Sequence, residues 1–232
     1  FGRGFESLRR YQELPYFSRS GIRSLLLSVF MASIYDLKPK FQALLRPITS
    51  GLANLGVTAN QVTVFASLLS IGAGTCIALR PEEPWPLLVV PGMLFVRMAL
   101  NAIDGMLARE HDMKSDLGAV LNEIGDVVSD AALYLPLALV PGFSAEWVVL
   151  IVLLSIVSEM TGVVAMQIGA SRRYDGPMGK SDRAFVFGLI CLLLGCGVTS
   201  QPWLEYVLWT VSFLLVVTVF NRAKRALKEV GQ

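Results

Sequence analysis

Two pairs of polar side chains stand at the ends of apolar stretches in this sequence. Asn101 precedes Asp104 by three residues, and Asn122 precedes Asp126 by four. Residues three or four apart share one face of an α-helix, so each pair would present two oxygen ligands together. Oxygen ligands suit a divalent cation such as Mg²⁺, which commonly completes its coordination with water and substrate phosphate. The spacing therefore predicts two helix ends that meet around a metal ion.

The composition restricts the kind of protein that can carry these residues. Of the 232 residues, 54% are hydrophobic and 16% are charged, and the mean hydropathy is +0.58. Soluble domains carry about 25% charged residues, so the sequence predicts an integral membrane protein. The net charge of +2 gives no reason to expect a nucleic-acid partner. Because His111 is the only histidine and the three cysteines lack a CxxC spacing, oxygen-ligated metals are the remaining option.

Six apolar stretches approach the length of about 20 residues that a helix needs to cross a bilayer. We expect an all-α integral membrane protein with spans near 61–79, 85–108, 117–139, 145–167, 183–198 and 203–220. Residues 31–56 combine basic and apolar side chains at helical spacing, which predicts an amphipathic interfacial helix. Residues 1–30 form a basic and aromatic segment, read either as a membrane-surface segment or as a fusion or tag remnant. The six-helix domain would cover 57–221, and 222–232 would form a basic cytoplasmic tail.

Basic residues are distributed unequally between the loops. Lysines and arginines flank the spans on one side, whereas the other side carries only Arg80. The positive-inside rule makes the basic side cytoplasmic, and with it both termini. Both polar pairs then fall at the cytoplasmic edge. This placement argues against a carrier, which usually binds its substrate near the membrane midplane.

The stretch from Asn101 to Asp126 resembles the signature of the CDP-alcohol phosphatidyltransferase family, Asp-x2-Asp-Gly-x2-Ala-Arg-x8-Gly-x3-Asp-x3-Asp, with identical spacing. The chain from Met31 to about Arg225 is similar to bacterial inner-membrane members of that family. Two positions depart from the pattern, because its first and third aspartates are Asn101 and Asn122 here. Replacing carboxylates by carboxamides removes about two negative charges and should weaken metal binding.

The resemblance implies an enzyme of phospholipid biosynthesis that transfers a phosphatidyl group from a CDP-diacylglycerol-like donor to the hydroxyl of a small polar alcohol and releases CMP. It also implies a Mg²⁺ or Mn²⁺ cofactor and a multi-pass homodimer in the inner membrane with a cytoplasmic active site. By this resemblance, catalysis is assigned to Asp126 and Arg109, metal binding to Asp104, Asp126, Asn101 and Asn122, nucleotide binding to Asn60, Thr63, Gly105, Ala108 and Gly118, and acceptor binding to Lys180, Arg183 and Arg172.

Several alternatives stay open at this point. The two asparagines are compatible with one bound metal instead of two, with recruitment of a nearby acid, or with a catalytically silent relative that binds CDP-lipid or nucleotide. The nearby acids are Asp116, Glu123 and Asp130. The basic residues assigned to the acceptor could instead serve topology and contact with anionic lipids. Arg97 and Glu159 lie inside predicted spans, where an isolated charge is costly, so we expect them to pair or to join the polar site.

Overall fold

Helices account for most of residues 40–231, the part of the chain that the structure, a computed structural model, describes. The chain divides into two units, Phe1–Leu45 and Arg46–Gln232. In the first unit the described residues, 40–45, are helical, and the predicted segment 1–30 lies outside the described part. The second unit contains α1 (46–54), α2 (Ala59–Leu79), α3 (Trp85–Glu110), α4 (Asp116–Tyr134), α5 (Ala145–Gln167), α6 (Lys180–Gly195) and α7 (Trp203–Glu229). A short 3-10 helix, Leu135–Leu139, follows α4.

Hydroxyl side chains cap the N-termini of two helices that carry the candidate site, α2 and α4. The Thr58 hydroxyl accepts a hydrogen bond from the Gln61 N–H at 3.3 Å, and the Thr58 N–H donates to the Gln61 side chain at 2.9 Å. At the start of α4, the Ser115 hydroxyl accepts a hydrogen bond from the Gly118 N–H at 3.0 Å. These bonds satisfy N–H groups that have no partner within the helix, and so fix where α2 and α4 begin.

Four helices of the described chain, α2, α3, α5 and α7, are long and apolar enough to cross a membrane. The other two predicted spans correspond to α4, which carries four acidic residues, and to α6, which has 16 residues. The all-helical class is confirmed for residues 40–231, where no strand occurs. The number of six spans stays a prediction, because length and hydropathy single out four.

Helices α2 and α4 run side by side in the same direction. Asn60 near the start of α2 faces Gly118 near the start of α4, and Gly74 faces Ala132 further along both helices. A Cβ atom at Gly74 would overlap the backbone carbonyl of Ala132. The absence of a side chain at this position therefore allows the two helices to approach closely, as small residues do in membrane helix pairs.

The apolar core connects the second half of α4 to α5, α6 and α7. The ring of Tyr134 stacks on that of Phe187 with centroids 4.5 Å apart, and both side chains are buried. Leu133, Ile151 and Leu208 are buried in the same cluster. Because this core holds α6 against α4, the first residue of α6, Lys180, reaches the acidic face of α4.

Candidate active site

A cavity of about 540 Å³ opens among the start of α2, the end of α3 and the start of α4. Five of its lining residues are those predicted to bind the nucleotide: Asn60, Thr63, Gly105, Ala108 and Gly118. Asn101, Asp104, Arg109, Asp116 and Asn122 also line it. The structure therefore brings one complete predicted set, and most of the predicted metal ligands, to a single space.

Gly118 permits close contact between α4 and the Asn60 side chain. A Cβ atom at Gly118 would lie 2.7 Å from the Asn60 carboxamide oxygen and 3.0 Å from the Ser115 hydroxyl. Both distances are shorter than ordinary carbon–oxygen contacts, so a larger residue would displace Asn60 or the cap of α4. Glycine at this point of the signature therefore lets α4 lie close to Asn60 in one wall of the cavity.

Asp104 is the buried carboxylate of the cavity. Its residue is 6% exposed, and it accepts a hydrogen bond from the Thr63 hydroxyl at 2.8 Å. Thr63 is itself buried at the first turns of α2. A neutral hydroxyl holds the carboxylate in place without cancelling its charge, so Asp104 can still bind a cation.

Arg109 lies one turn after Gly105, on the cavity side of α3. A Cβ atom at Gly105 would lie 3.1 Å from one guanidinium nitrogen of Arg109. The guanidinium therefore covers the glycine, and both residues line the cavity. A planar cation with several N–H donors at this wall is suited to phosphate oxygens.

Asp126 lies at the edge of this arrangement and has three basic or polar neighbours. Lys180 forms an ion pair with its carboxylate, and the Asn101 amide donates to the same oxygen at 3.4 Å. Arg97 donates to the Asp126 backbone carbonyl at 3.0 Å and lies 3.7 Å from the carboxylate. The Asp126 side chain remains 28% exposed. It is thus oriented by neighbours and still accessible.

A buried ion-pair network begins one turn beyond Asp126. Asp130 pairs with Arg97 and also accepts a hydrogen bond from Arg183 at 2.7 Å. Arg183 continues the network to Glu159, at 3.1 Å, and Arg222 reaches the same carboxylate at 3.2 Å. Burying these charges is costly unless each is paired, and the network meets that requirement.

The expected pair of Arg97 with Glu159 is wrong. Arg97 pairs with Asp130 on α4, whereas Glu159 receives Arg172, Arg183 and Arg222. The alternative that both charges join the polar region is confirmed, because Asp130 and Arg183 connect them. The physical reason is that α4 lies between the two residues and supplies its own buried acid.

Arg172 covers the face of α4 beside Asp126. Its guanidinium donates to both oxygens of Glu123, at 2.9 and 2.8 Å, and to Glu159 at 3.1 Å. Burial alone lowers the pKa of Arg172, but the hydrogen bonds and charge of Glu123 outweigh it and hold that pKa above its ordinary value. This bidentate arrangement is the geometry in which arginine binds carboxylates most strongly.

The three residues predicted to bind the acceptor occupy different surroundings. Lys180 lies beside Asp126 with 29% of its side chain exposed, and the Arg172 side chain is 13% exposed. Arg183 is 1% exposed and is enclosed by Asp130 and Glu159. The structure thus brings Lys180 and Arg172 to the neighbourhood of Asp126 and places Arg183 in the buried network. Of the three nearby acids, Glu123 and Asp130 are engaged by arginines, and Asp116 lines the cavity.

The sequence reading missed the role of Arg222. It falls in the predicted tail 222–232, yet α7 continues to Glu229 and Arg222 is buried. Its guanidinium donates to the Ser158 backbone carbonyl and pairs with Glu159. The sequence does contain a pattern that predicts this position: Leu215, Thr218 and Arg222 are three and four residues apart, so they share one helical face.

The donor atoms fit a divalent cation in their chemistry. Asn101, Asp104 and Asn122 line one cavity, and Asp126 lies within hydrogen-bonding distance of Asn101. All four offer oxygen ligands, but only two carry charge. Consistent with this, residues 40–231 contain no group of three or more histidine, cysteine or acidic side chains that could hold a metal.

The sequence matches the model of CDP-alcohol phosphatidyltransferases over residues 56–223, which include every residue of the cavity. The chain belongs to the CDP-alcohol phosphatidyltransferase family. The resemblance drawn from the signature is confirmed, and the chain is an enzyme of this transferase class. Its apolar helices identify it as a membrane member of the family.

Other CDP-alcohol phosphatidyltransferases and related proteins resemble it over most of its length. Inner membrane protein YnbA of Escherichia coli K12 is 45% identical over 199 residues, covering 84% of this chain and 96% of YnbA. The phosphatidylinositol phosphate synthase of Mycobacteroides abscessus is 26% identical, covering 78% of this chain and 83% of that one.

Solved structures show the same fold. The Mycobacterium tuberculosis phosphatidylinositol phosphate synthase with CDP-DAG bound has a TM-score of 0.68 at 22% identity, covering 80% of this chain and 94% of the synthase. The same synthase in complex with manganese and citrate has a TM-score of 0.67. The likeness to these structures establishes the arrangement of the helices.

Proposed function

We propose that this enzyme transfers a phosphatidyl group from a CDP-diacylglycerol-like donor to a hydroxyl of a small polar alcohol and releases CMP. The observation that carries the proposal is the single cavity lined by the complete predicted nucleotide set together with Asp104 and Arg109. Its volume of about 540 Å³ lies within the range of small-molecule sites. Cytidine would lie against Gly105, Ala108 and Gly118, where the absence of large side chains gives room.

Asp126 is the general base of the proposed reaction. It takes the proton of the acceptor hydroxyl as the oxygen attacks the lipid-bearing β-phosphorus, and the bond from this phosphorus to the CMP oxygen breaks. Lys180, Arg97 and Asn101 hold the carboxylate in position. Arg109 stabilises the negative charge of the phosphates.

A divalent cation, Mg²⁺ or Mn²⁺, would be held by Asp104, Asp126, Asn101 and Asn122 and would neutralise phosphate charge. With two carboxylates in place of four, this donor set supports one cation better than two, because charge largely determines affinity. The solved synthase in complex with manganese lends support from a protein of the same fold.

We further propose that the enzyme is a six-span inner-membrane homodimer with the cavity and both termini on the cytoplasmic side. The loop charges support this orientation. The ends of α3 and α5 and the starts of α2, α4 and α6 carry the polar contacts, which fits a site assembled at one membrane edge.

The test is release of CMP by purified protein supplied with CDP-diacylglycerol, Mn²⁺ and a panel of alcohols. We expect CMP only when donor, metal and an alcohol are all present. A matched control is Glu83→Gln, which removes a carboxylate from the surface pair with Arg80 outside the site and should leave turnover unchanged. Binding of CDP-lipid without CMP release from any alcohol would instead establish the silent relative that the two asparagines suggest.

A further inference from the structure

We propose that the acceptor is an uncharged polyhydroxy alcohol and not a phosphorylated one. This inference deepens the proposed function and rests on it. Its basis is that the cations beside Asp126 are already paired with acids of the same chain.

The acceptor hydroxyl has to reach Asp126, so the rest of the acceptor lies against the groups around that carboxylate. The nucleotide cavity occupies the side of Asn101 and Asn122. Lys180 at the start of α6 contacts Asp126, and Arg172 between α5 and α6 contacts Glu123 one turn earlier on α4; neither basic residue lines that cavity. A phosphate on the acceptor would have to be bound by these two cations.

Each of these two cations has an acidic partner. Lys180 pairs with Asp126 itself, and Arg172 is held by both oxygens of Glu123 and by Glu159. Four further arginines in the surrounding helices and loops are also paired. Arg183 pairs with Asp130 and Glu159, Arg222 with Glu159, Arg173 with Asp175 and Glu229, and Arg225 with Asp175.

These acids make a phosphate unfavourable in two ways. The Glu123 side chain is 33% exposed beside Arg172, so an incoming phosphate would meet a carboxylate of like charge at short range. If the phosphate displaced Glu123 from the guanidinium, it would leave Glu123 without its cation. Arginine binds phosphate through charge-assisted N–H donors, and the donors of Arg172 already serve Glu123 and Glu159.

Hydroxyl groups are suited to the same surface. A hydroxyl can donate to a carboxylate such as Glu123 and accept from a guanidinium such as Arg172, so neighbouring hydroxyls of one alcohol can contact both members of the pair. No ion pair has to break for this contact. Alternating acidic and basic side chains therefore select a neutral acceptor with several hydroxyls.

The experiment compares matched acceptors with purified enzyme, CDP-diacylglycerol and Mn²⁺. Glycerol is compared with glycerol 3-phosphate, and inositol with inositol phosphate, as kcat/KM for CMP release. We expect the uncharged member of each pair to be preferred by at least about tenfold. Equal rates, or a preference for the phosphorylated member, would overturn the inference while leaving the proposed function intact.

A binding measurement separates this inference from failure of the proposed function. If no alcohol yields CMP, the proposed function fails. Calorimetry with glycerol 3-phosphate then shows whether the region around Asp126 binds a phosphorylated alcohol. Binding of glycerol 3-phosphate that is lost in Arg172→Gln would overturn the inference. If glycerol 3-phosphate does not bind, the site has no affinity for an acceptor phosphate, and the inference is supported.

A gain-of-function variant tests the cause. Glu123→Gln keeps the shape of the side chain and removes one of the two carboxylate charges on Arg172, which keeps its pair with Glu159, so the preference should shift toward the phosphorylated acceptor by about tenfold. Glu83→Gln, which removes the partner of Arg80 in an exposed pair outside the site, should leave the preference unchanged. An unchanged preference in Glu123→Gln would overturn Glu123 as the cause of phosphate exclusion, while the comparison of acceptors with the unmodified enzyme decides whether the acceptor is charged.

Discussion

Two aspartates of the same protein, Asp104 and Asp130, are buried to a similar degree but have different partners. Asp104, 6% exposed, accepts a hydrogen bond from the neutral Thr63 hydroxyl. Asp130, 5% exposed, is bound by Arg97 and Arg183. A carboxylate already neutralised by two arginines has little charge left for a metal, whereas one held by a hydroxyl keeps its charge. Burial alone therefore does not identify a functional acid, and the charge of its neighbours does.

Asp126 is intermediate between Asp104 and Asp130, because it pairs with Lys180 but stays partly exposed. Replacing it should have the largest effect on turnover. Asp126→Asn removes the proposed base, so turnover should fall by about 10²- to 10⁴-fold. Folding should be nearly unaffected, since the side chain is partly exposed and the amide can still accept a hydrogen bond from Lys180. CMP release measures the first effect and thermal unfolding in detergent the second. Retained turnover would remove Asp126 from the role of base.

Asp130 should behave in the opposite way, with a loss of stability. Asp130→Asn leaves Arg97 and Arg183 without their shared charge, and breaking a buried pair costs about 3–5 kcal/mol. The measurement is the free energy of unfolding, with Asp116→Asn at the cavity wall as a matched control that should cost far less. A stable Asp130→Asn protein would mean that the network contributes little to folding.

Carboxylates at positions 101 and 122, where the family signature has aspartate, should strengthen metal binding. Asn101→Asp combined with Asn122→Asp should tighten Mn²⁺ binding by tens of fold, because affinity follows the charge of the ligands. Titration of Mn²⁺ by electron paramagnetic resonance measures the change. Asn221→Asp, outside the cavity, serves as the control. Unchanged affinity would show that Asn101 and Asn122 are not ligands.

The smallest expected effect concerns the hydroxyl that holds Asp104. Thr63→Val keeps the shape of the side chain and removes one hydrogen bond to a charged group, worth about 1.5–3 kcal/mol. Much of this loss is offset if water replaces the hydroxyl, so we expect a reduction in kcat/KM of about tenfold. If kcat/KM does not change, Asp104 is held mainly by its helix.

The sequence predicted the cavity better than the network, for a physical reason. Asn101 with Asp104 and Asn122 with Asp126 follow a helical spacing that places each pair on one face of a helix end. The resemblance assigns Asn60 and Gly118 to nucleotide binding, and both lie close together in the cavity wall. Local patterns also located every long helix of the second unit, although α4 and α6 are less apolar than the other helices.

The network depends on contacts between residues far apart in the sequence, and local spacing does not encode these. Arg222 reaches Ser158 and Glu159 from another helix. The rule that an intramembrane charge needs a partner was correct for Arg97, but it did not identify the partner. The sequence allows Asp130 as a metal ligand, whereas its ion pairs with Arg97 and Arg183 show that its charge is already balanced.

Gly74 lies fourteen residues after Asn60 on α2, about 20 Å along the helix at 1.5 Å per residue. Its contact with the Ala132 carbonyl sets the separation of α2 and α4 at the end remote from the cavity. Both helices also line the cavity near their starts, so we expect a larger residue at position 74 to alter the width of the cavity although this position is not part of its lining.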